Sequence, residues 1–189
     1  MMRRMPAVVA VLSILGGAAL AQPATEVNVE RGLMKDRPYT VIFPRSMESI
    51  PAGADAVVAL SQTGLQCDLR ITPAAAGATT PNLASFRPAS AVEEQRQAFP
   101  DFELTGAAAM GAFQSGPALI YSGQMSGFDK SPLSVVHAEA IDQGRRYVFE
   151  CMGERKSFDS HRPLIRFLIA NISTRGDGKC CVQPQAGPR

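Results

Sequence analysis

Three apolar runs stand almost back to back in the second half of this 189-residue chain: "FQSGPALIYSGQM", "LSVVHAEAI" and "RRYVFECMG". The links between them are short, and the last is Asp142-Gln143-Gly144. A link of that length cannot carry a crossover, so the runs have to pair antiparallel. Their side chains alternate, which places Tyr147, Phe149 and Cys151 on one face of the last run. The stretch "ADAVVALSQTGLQCDLRIT" repeats the device. One arm covers 54–61, the turn contains Thr63-Gly64, and the second arm puts Cys67, Leu69 and Ile71 on one face and Gln66, Asp68 and Arg70 on the other. By that alternation Asp68 and Glu150 fall on polar, solvated faces.

The remaining elements are placed around this meander. "RPYTVIFPRSM" predicts a strand with Tyr39, Val41 and Phe43 on one side and Pro44 at its end. The segment 72–88 is a loop by its Pro, Ala and Thr content. "SAVEEQRQAF" predicts a helix, with Ser90 as cap, Glu93 three residues on, and Pro100 as its stop. "DFELTG" is a short strand, and the run 108–125 breaks into two strands at Ser115-Gly116-Pro117. A last helix is expected over 160–175. Pro163 sits in its first turn, Leu164, Ile165, Leu168, Ile169 and Ile172 form its apolar face, Arg175 closes its last turn, and Gly176 ends it. Strands, helix, strands, helix in that order give an α+β class: a single, mostly antiparallel β-sheet with helices packed on it as a sandwich. Neither βαβ alternation nor an internal repeat is present. The division is 1–21 signal peptide, 22–37 polar N-terminal segment, 38–175 α+β domain, and 176–189 cysteine-containing tail.

The opening "MMRRMPAVVAVLSILGGAALAQPA" has the three parts of a secretory signal peptide. Arg3 and Arg4 form its charged start, 6–15 its apolar run, and Ala19-Leu20-Ala21 its cleavage site before Gln22. The apolar run is short for a membrane span, and no later stretch replaces it. The expected product is a secreted, periplasmic protein without a membrane span after cleavage. The formal charge is +2, and Arg3 and Arg4 supply both units. The mature part is therefore balanced, which argues against nucleic acid as a partner. The triplet Asn171-Ile172-Ser173 matches a glycosylation acceptor but falls inside the expected helix.

Candidate chemistry is sparse. The two histidines, His137 and His161, lack HxxxH or HExxH spacing, and no local set reaches the three or four ligands a zinc site needs. His137 shares a strand face with Leu133 and Val135, and His161 stands at the start of the last expected helix. Ser115, His137 and Asp142 or Asp159 supply the residue types of a hydrolase triad, but "FQSGPA" is not a nucleophile elbow. Neither a dinucleotide fingerprint nor a phosphate loop occurs. The expectation is no catalytic, cofactor-binding or metal-binding residue and no cofactor. The partner is then a protein of the envelope or a small ligand. A periplasmic hydrolase-type enzyme is the competing reading.

"YTVIFPRSM", the hairpin after it, the mid-chain helix, the meander ending in "YVFECMG" and the apolar C-terminal helix together resemble the PsbP-like superfamily. That superfamily includes PsbP subunits, Mog-type Ran-binding proteins and DcrB-like periplasmic proteins. "LQCDL", "FQSGPALIY", "VVHAE" and the terminal "CC" are similar to small uncharacterised secreted bacterial proteins. The resemblance implies a non-catalytic accessory or binding role and transfers no catalytic residue.

Four cysteines, Cys67, Cys151, Cys180 and Cys181, in an exported chain predict two disulfide bridges. Adjacent cysteines rarely bond each other, because the small ring conflicts with ordinary disulfide geometry. The favoured pairing therefore staples Cys180 and Cys181 to Cys67 and Cys151. The alternative joins Cys67 to Cys151 and leaves a vicinal bridge or free thiols in the tail.

Overall fold

The computed structural model describes residues 26–32, 37–53 and 56–183. The expected signal peptide and its cleavage site lie outside these residues. The hairpin pattern folds as its short links require. Strands β1 (Val27–Gly32), β2 (Tyr39–Pro44), β3 (Glu48–Ile50), β4 (Ala56–Gln62) and β5 (Leu65–Pro73) precede helix α1 (Pro88–Arg96). Then come β6 (Glu103–Leu104), β7 (Ala109–Phe113), β8 (Gly116–Ser126), β9 (Pro132–Asp142), β10 (Arg145–Glu154), helix α2 (Arg155–Ala170) and β11 (Ile172–Ser173). The class is α+β with antiparallel pairing throughout, as the sequence led one to expect.

The strands divide between two sheets. The main one runs β3-β4-β5-β10-β9-β8-β6, with β7 also paired to β8. The other is the small sheet β1-β2-β11. β1 lies in the segment read as merely polar, and it forms by pairing along the whole of β2. The β9–β10 turn has positive φ at both Gln143 and Gly144, which is why a glycine is used there.

Two cores result, one on each face of the main sheet. On one face Cys67, Leu69, Val136, Ala138, Tyr147, Phe149 and Cys151 meet Ile165, Leu168 and Ile169 of α2 and Tyr39, Val41 and Phe43 of β2. On the other, Tyr121, Met125 and Val135 meet Ala91 of α1, Phe102, and the partly buried Phe86, Val92 and Phe99. A sheet covered on both sides has no solvated face, so alternation in its central strands no longer separates buried from wet positions.

The helix boundaries differ from expectation. α1 begins at Pro88 after Arg87, without a side-chain cap, so Ser90 is its third residue rather than its cap. α2 starts five residues earlier than expected and ends at Ala170. Pro163 is therefore inside the helix, on an exposed face, where it forgoes the backbone bond to the Asp159 carbonyl. Ile172 is buried as part of β11, and Arg175 and Gly176 lie beyond the helix.

Cys67 and Cys151 are directly opposed in the β5–β10 ladder, with Cα atoms 4.0 Å apart, and are bonded to each other. Cys180 is bonded to Cys181. The tail-to-sheet staple is thus replaced by the alternative pairing. Cross-strand register brings the first two sulfurs together inside the core, both fully buried, while the tail cysteines stay exposed.

Candidate functional site

Ladder register lines up one row of polar side chains across four strands on the α1 face. Tyr121 of β8 opposes His137 of β9, His137 opposes Glu150 of β10, and Glu150 opposes Asp68 of β5. His137 is 1% exposed and Glu150 7% exposed, so the reading of Glu150 as solvated fails. Asp68 is half-buried, and burial raises its pKa against the opposing pull of Arg70.

These groups are spent on one another. His137 Nδ1 lies 2.8 Å from Glu150 Oε1, and since a carboxylate only accepts, the ring proton sits on Nδ1. Gln95 of α1 donates through Nε2 to the same oxygen at 2.5 Å. Arg70 pairs with the other Glu150 oxygen. The Tyr121 ring stacks on the imidazole at a centroid distance of 4.3 Å. His137 Nε2 has no hydrogen-bond partner among the described residues, although Glu139 Oε2 lies 3.5 Å away. Burial lowers the His137 pKa, more than its neighbouring carboxylate raises it. The ring is thus a buried, hydrogen-bonded strand histidine whose charged form is disfavoured.

A second layer leads to the surface. Arg146 donates to Glu139 at 2.8 Å and, bidentately, to Glu94 of α1 at 2.6 and 3.0 Å. Burial alone would lower the Arg146 pKa, but these hydrogen bonds hold it above its usual value. Burial would likewise raise that of Glu139, yet the proximity of His137 and the bond and charge of Arg146 bring it down to about 2. Burial pushes the Tyr121 phenol up to about 12. Over this layer opens a cleft of about 260 Å³. Tyr121 and Leu119 line it together with Phe86, Ala91, Glu94, Glu139 and Arg146, and the loop residues Pro81 and Ser85 complete its wall. Leu83, 53% exposed, stands on that loop.

The imagined triad is not assembled. Ser115 lies in the β7–β8 turn, where its Oγ accepts the Thr174 N–H at 2.9 Å. Thr174 Oγ1 donates to Asp142 Oδ2 at 2.5 Å. Thr174 also meets Tyr147, through its carbonyl, on the α2 side, whereas His137 faces α1 through the sheet. Asp159 is on α2 and pairs with Arg162. His161, on the same helix, is half-exposed. No group of three or more His, Cys, Asp or Glu side chains among the described residues is placed to hold a metal ion. No described helix is long and apolar enough to cross a membrane. Asn171 is fully buried just past α2, with its amide bonded to Phe167 and Val182, so it is closed to glycosylation.

Sequence reasoning missed Gln95, Glu139, Glu94 and Arg146 as partners. The legible signal was Gln95 itself, four residues after Ala91 on the inward face of α1, where an apolar side chain would be the default.

No family model and no curated protein matches the sequence. Solved structures do. A cyanobacterial PsbP (CyanoP) from Synechocystis is similar at TM-score 0.56 and 12% identity, over 86% of this chain and 98% of that one. LpqN of Mycobacterium tuberculosis, involved in cell envelope biogenesis, is similar at TM-score 0.50 and 10% identity, over 82% and 86%. The Ran-binding protein Mog1p of Saccharomyces cerevisiae is similar at TM-score 0.51 and 7% identity, over 79% and 96%. At these identities the likeness is one of fold, and it is the fold that the order of elements in the sequence resembled.

Proposed function

We propose that this chain, whose fold is PsbP-like, is an exported, periplasmic, non-catalytic binding or accessory protein of a bacterial cell envelope. The observation that carries the reading is the closure of the His137 row. The side chains that could perform acid–base chemistry are buried and paired with each other, and the surface they support is a small cleft with an aromatic floor and a charged rim. Such a cleft suits recognition: apolar area holds a ligand and a few fixed polar groups orient it. Its volume, about 260 Å³, fits one side chain of a partner or a small molecule. The cell-envelope role of LpqN, a structural relative, supports the same direction. A fully buried Cys67–Cys151 bridge suits an oxidising compartment.

Site-specific photo-crosslinking tests this. A photoreactive residue at Ser90 on the cleft rim should capture one discrete envelope component in living cells, and the same probe at Lys156 on the far side should not. Equal labelling from both positions, together with turnover of an ester, amide or phosphate substrate by the purified protein, would overturn the reading. Export is checked separately: the mature chain should begin at Gln22 by N-terminal sequencing.

A further inference from the structure

The tail around Cys180 and Cys181 is pinned residue by residue. The Gly178 N–H donates to Thr40 Oγ1 at 3.1 Å, and its carbonyl accepts from Arg31 Nη2 at 3.1 Å. A side chain at Gly178 would collide with Thr40, whose Cβ would be 2.8 Å away, so only glycine seats the tail there. Gln114, from the β7–β8 turn, grips the backbone of Lys179 at both groups. Its Nε2 donates to the carbonyl at 2.5 Å and its Oε1 accepts the N–H at 2.7 Å. Asn171, at the end of α2, does the same to Val182, at 2.8 Å in both directions. Two carboxamide clamps from different elements thus bracket the two cysteines, which are left exposed between them. The other bridge, Cys67–Cys151, is fully buried in the sheet.

We propose that Cys180–Cys181 is a thiol–disulfide exchange site whose substrate is a dithiol protein of the same compartment. A thiolate of the partner attacks one tail sulfur. A new S–S bond forms to it, the Cys180–Cys181 bond breaks, and the other cysteine leaves as a thiolate that takes a proton from water. The partner's second thiolate then attacks the mixed disulfide and releases the remaining tail cysteine. The tail gains two electrons and two protons, and the partner's dithiol becomes a disulfide. The reverse sequence, with an oxidised partner, recloses the pair. The clamps keep the two cysteines in one backbone arrangement and so favour reclosure over a wandering dithiol. The buried bridge is out of reach of a partner and is not part of the exchange.

The test uses the folded, oxidised mature protein, with dithiothreitol as the dithiol. After timed reduction, free thiols are alkylated with N-ethylmaleimide and mapped by tryptic mass spectrometry. Two alkyl groups should appear on peptide 180–189 while the Cys67 and Cys151 peptides remain joined, with rates about a hundredfold apart, because exchange follows access. Cys181→Ser should leave Cys180 able to trap a mixed disulfide with oxidised glutathione. In Gln114→Ala, the equilibrium against dithiothreitol should shift toward the tail dithiol by about fivefold, the factor of one net hydrogen bond. Native circular dichroism of that variant confirms folding. The proposal is overturned if both bridges reduce together only when the protein unfolds. It is overturned equally if the reduced tail pair fails to reclose with oxidised dithiothreitol, or if Gln114→Ala leaves the equilibrium unchanged.

Discussion

Replacing Cys67 and Cys151 together by alanine should destabilise this fold strongly. The bridge joins residues 84 apart in sequence and so closes most of the main sheet into one loop. In the chain-entropy account, a loop of that length costs the unfolded chain about 15 cal/mol/K, or about 4.5 kcal/mol at 25 °C. Alanine is the better probe than serine, since both sulfurs are fully buried and a serine hydroxyl there would lack a partner. The assay is urea unfolding followed by far-ultraviolet circular dichroism, comparing the oxidised wild type with the double variant at one pH. The midpoint should fall, and the slope m should rise, because the uncrosslinked unfolded chain exposes more surface. Cys180→Ala with Cys181→Ala provides the contrast: that bridge closes no loop, so its loss should shift stability by no more than about 0.5 kcal/mol. A cost below about 1 kcal/mol for the sheet bridge would refute the reasoning.

Leu168→Ala should cost about 2–5 kcal/mol in the same assay, since the side chain is fully buried between α2 and the sheet; a change within error would mean that α2 does not pack through that face. Glu150→Ala should cost about 3 kcal/mol, because it leaves Gln95 and His137 around a vacated carboxylate and Arg70 with Asp68 alone, and Glu150→Gln should recover part of it. Acid should destabilise the fold in two stages. The lowered pKa of His137 means that its neutral form stabilises the fold fully above its ordinary value of 6.5, and this contribution declines as pH falls below that value. Glu139, held down to about 2 from 4.5, contributes fully above 4.5 and loses that contribution between 4.5 and 2. Thermal melts from pH 7.5 to 3 should therefore show a falling Tm, and Glu139→Gln should flatten the lower stage; a Tm that rises on acidification to pH 5 would contradict the assignment.

Much of this architecture was legible because it rests on local rules. Turns as short as Gln143-Gly144 dictate antiparallel neighbours, and alternation put Cys67 with Leu69 on one strand's apolar face and Tyr147 with Phe149 on another's, faces that meet in one core. Elements that depend on partners were not legible. β1 and β11 are short, and each is held by β2. Pro163 misled as a first-turn signal, since one exposed proline inside a 16-residue helix is offset by the helix's packing. The polar row was hidden by a second assumption, that the face opposite Cys67 and Cys151 meets water. α1 and the loop before it cover that face, so Glu150 and its neighbours had to find partners inside the fold. The cysteine pairing turned on register: nothing in "LQCDL" or "YVFECMG" says that Cys67 and Cys151 fall directly opposite each other.

The central claim is that His137 belongs to a closed, structural row rather than to a reactive site. The chain has two histidines, so proton–nitrogen correlation spectra of the imidazoles, recorded from pH 8 to 5, report on His137 with a single internal comparison. The expected His137 ring is neutral, is protonated at Nδ1, and does not titrate between pH 7.5 and 6. Diethyl pyrocarbonate should modify half-exposed His161 while His137 stays intact in the folded protein. A His137 signal that titrates near 6.5, and is modified as fast as His161, would contradict the account.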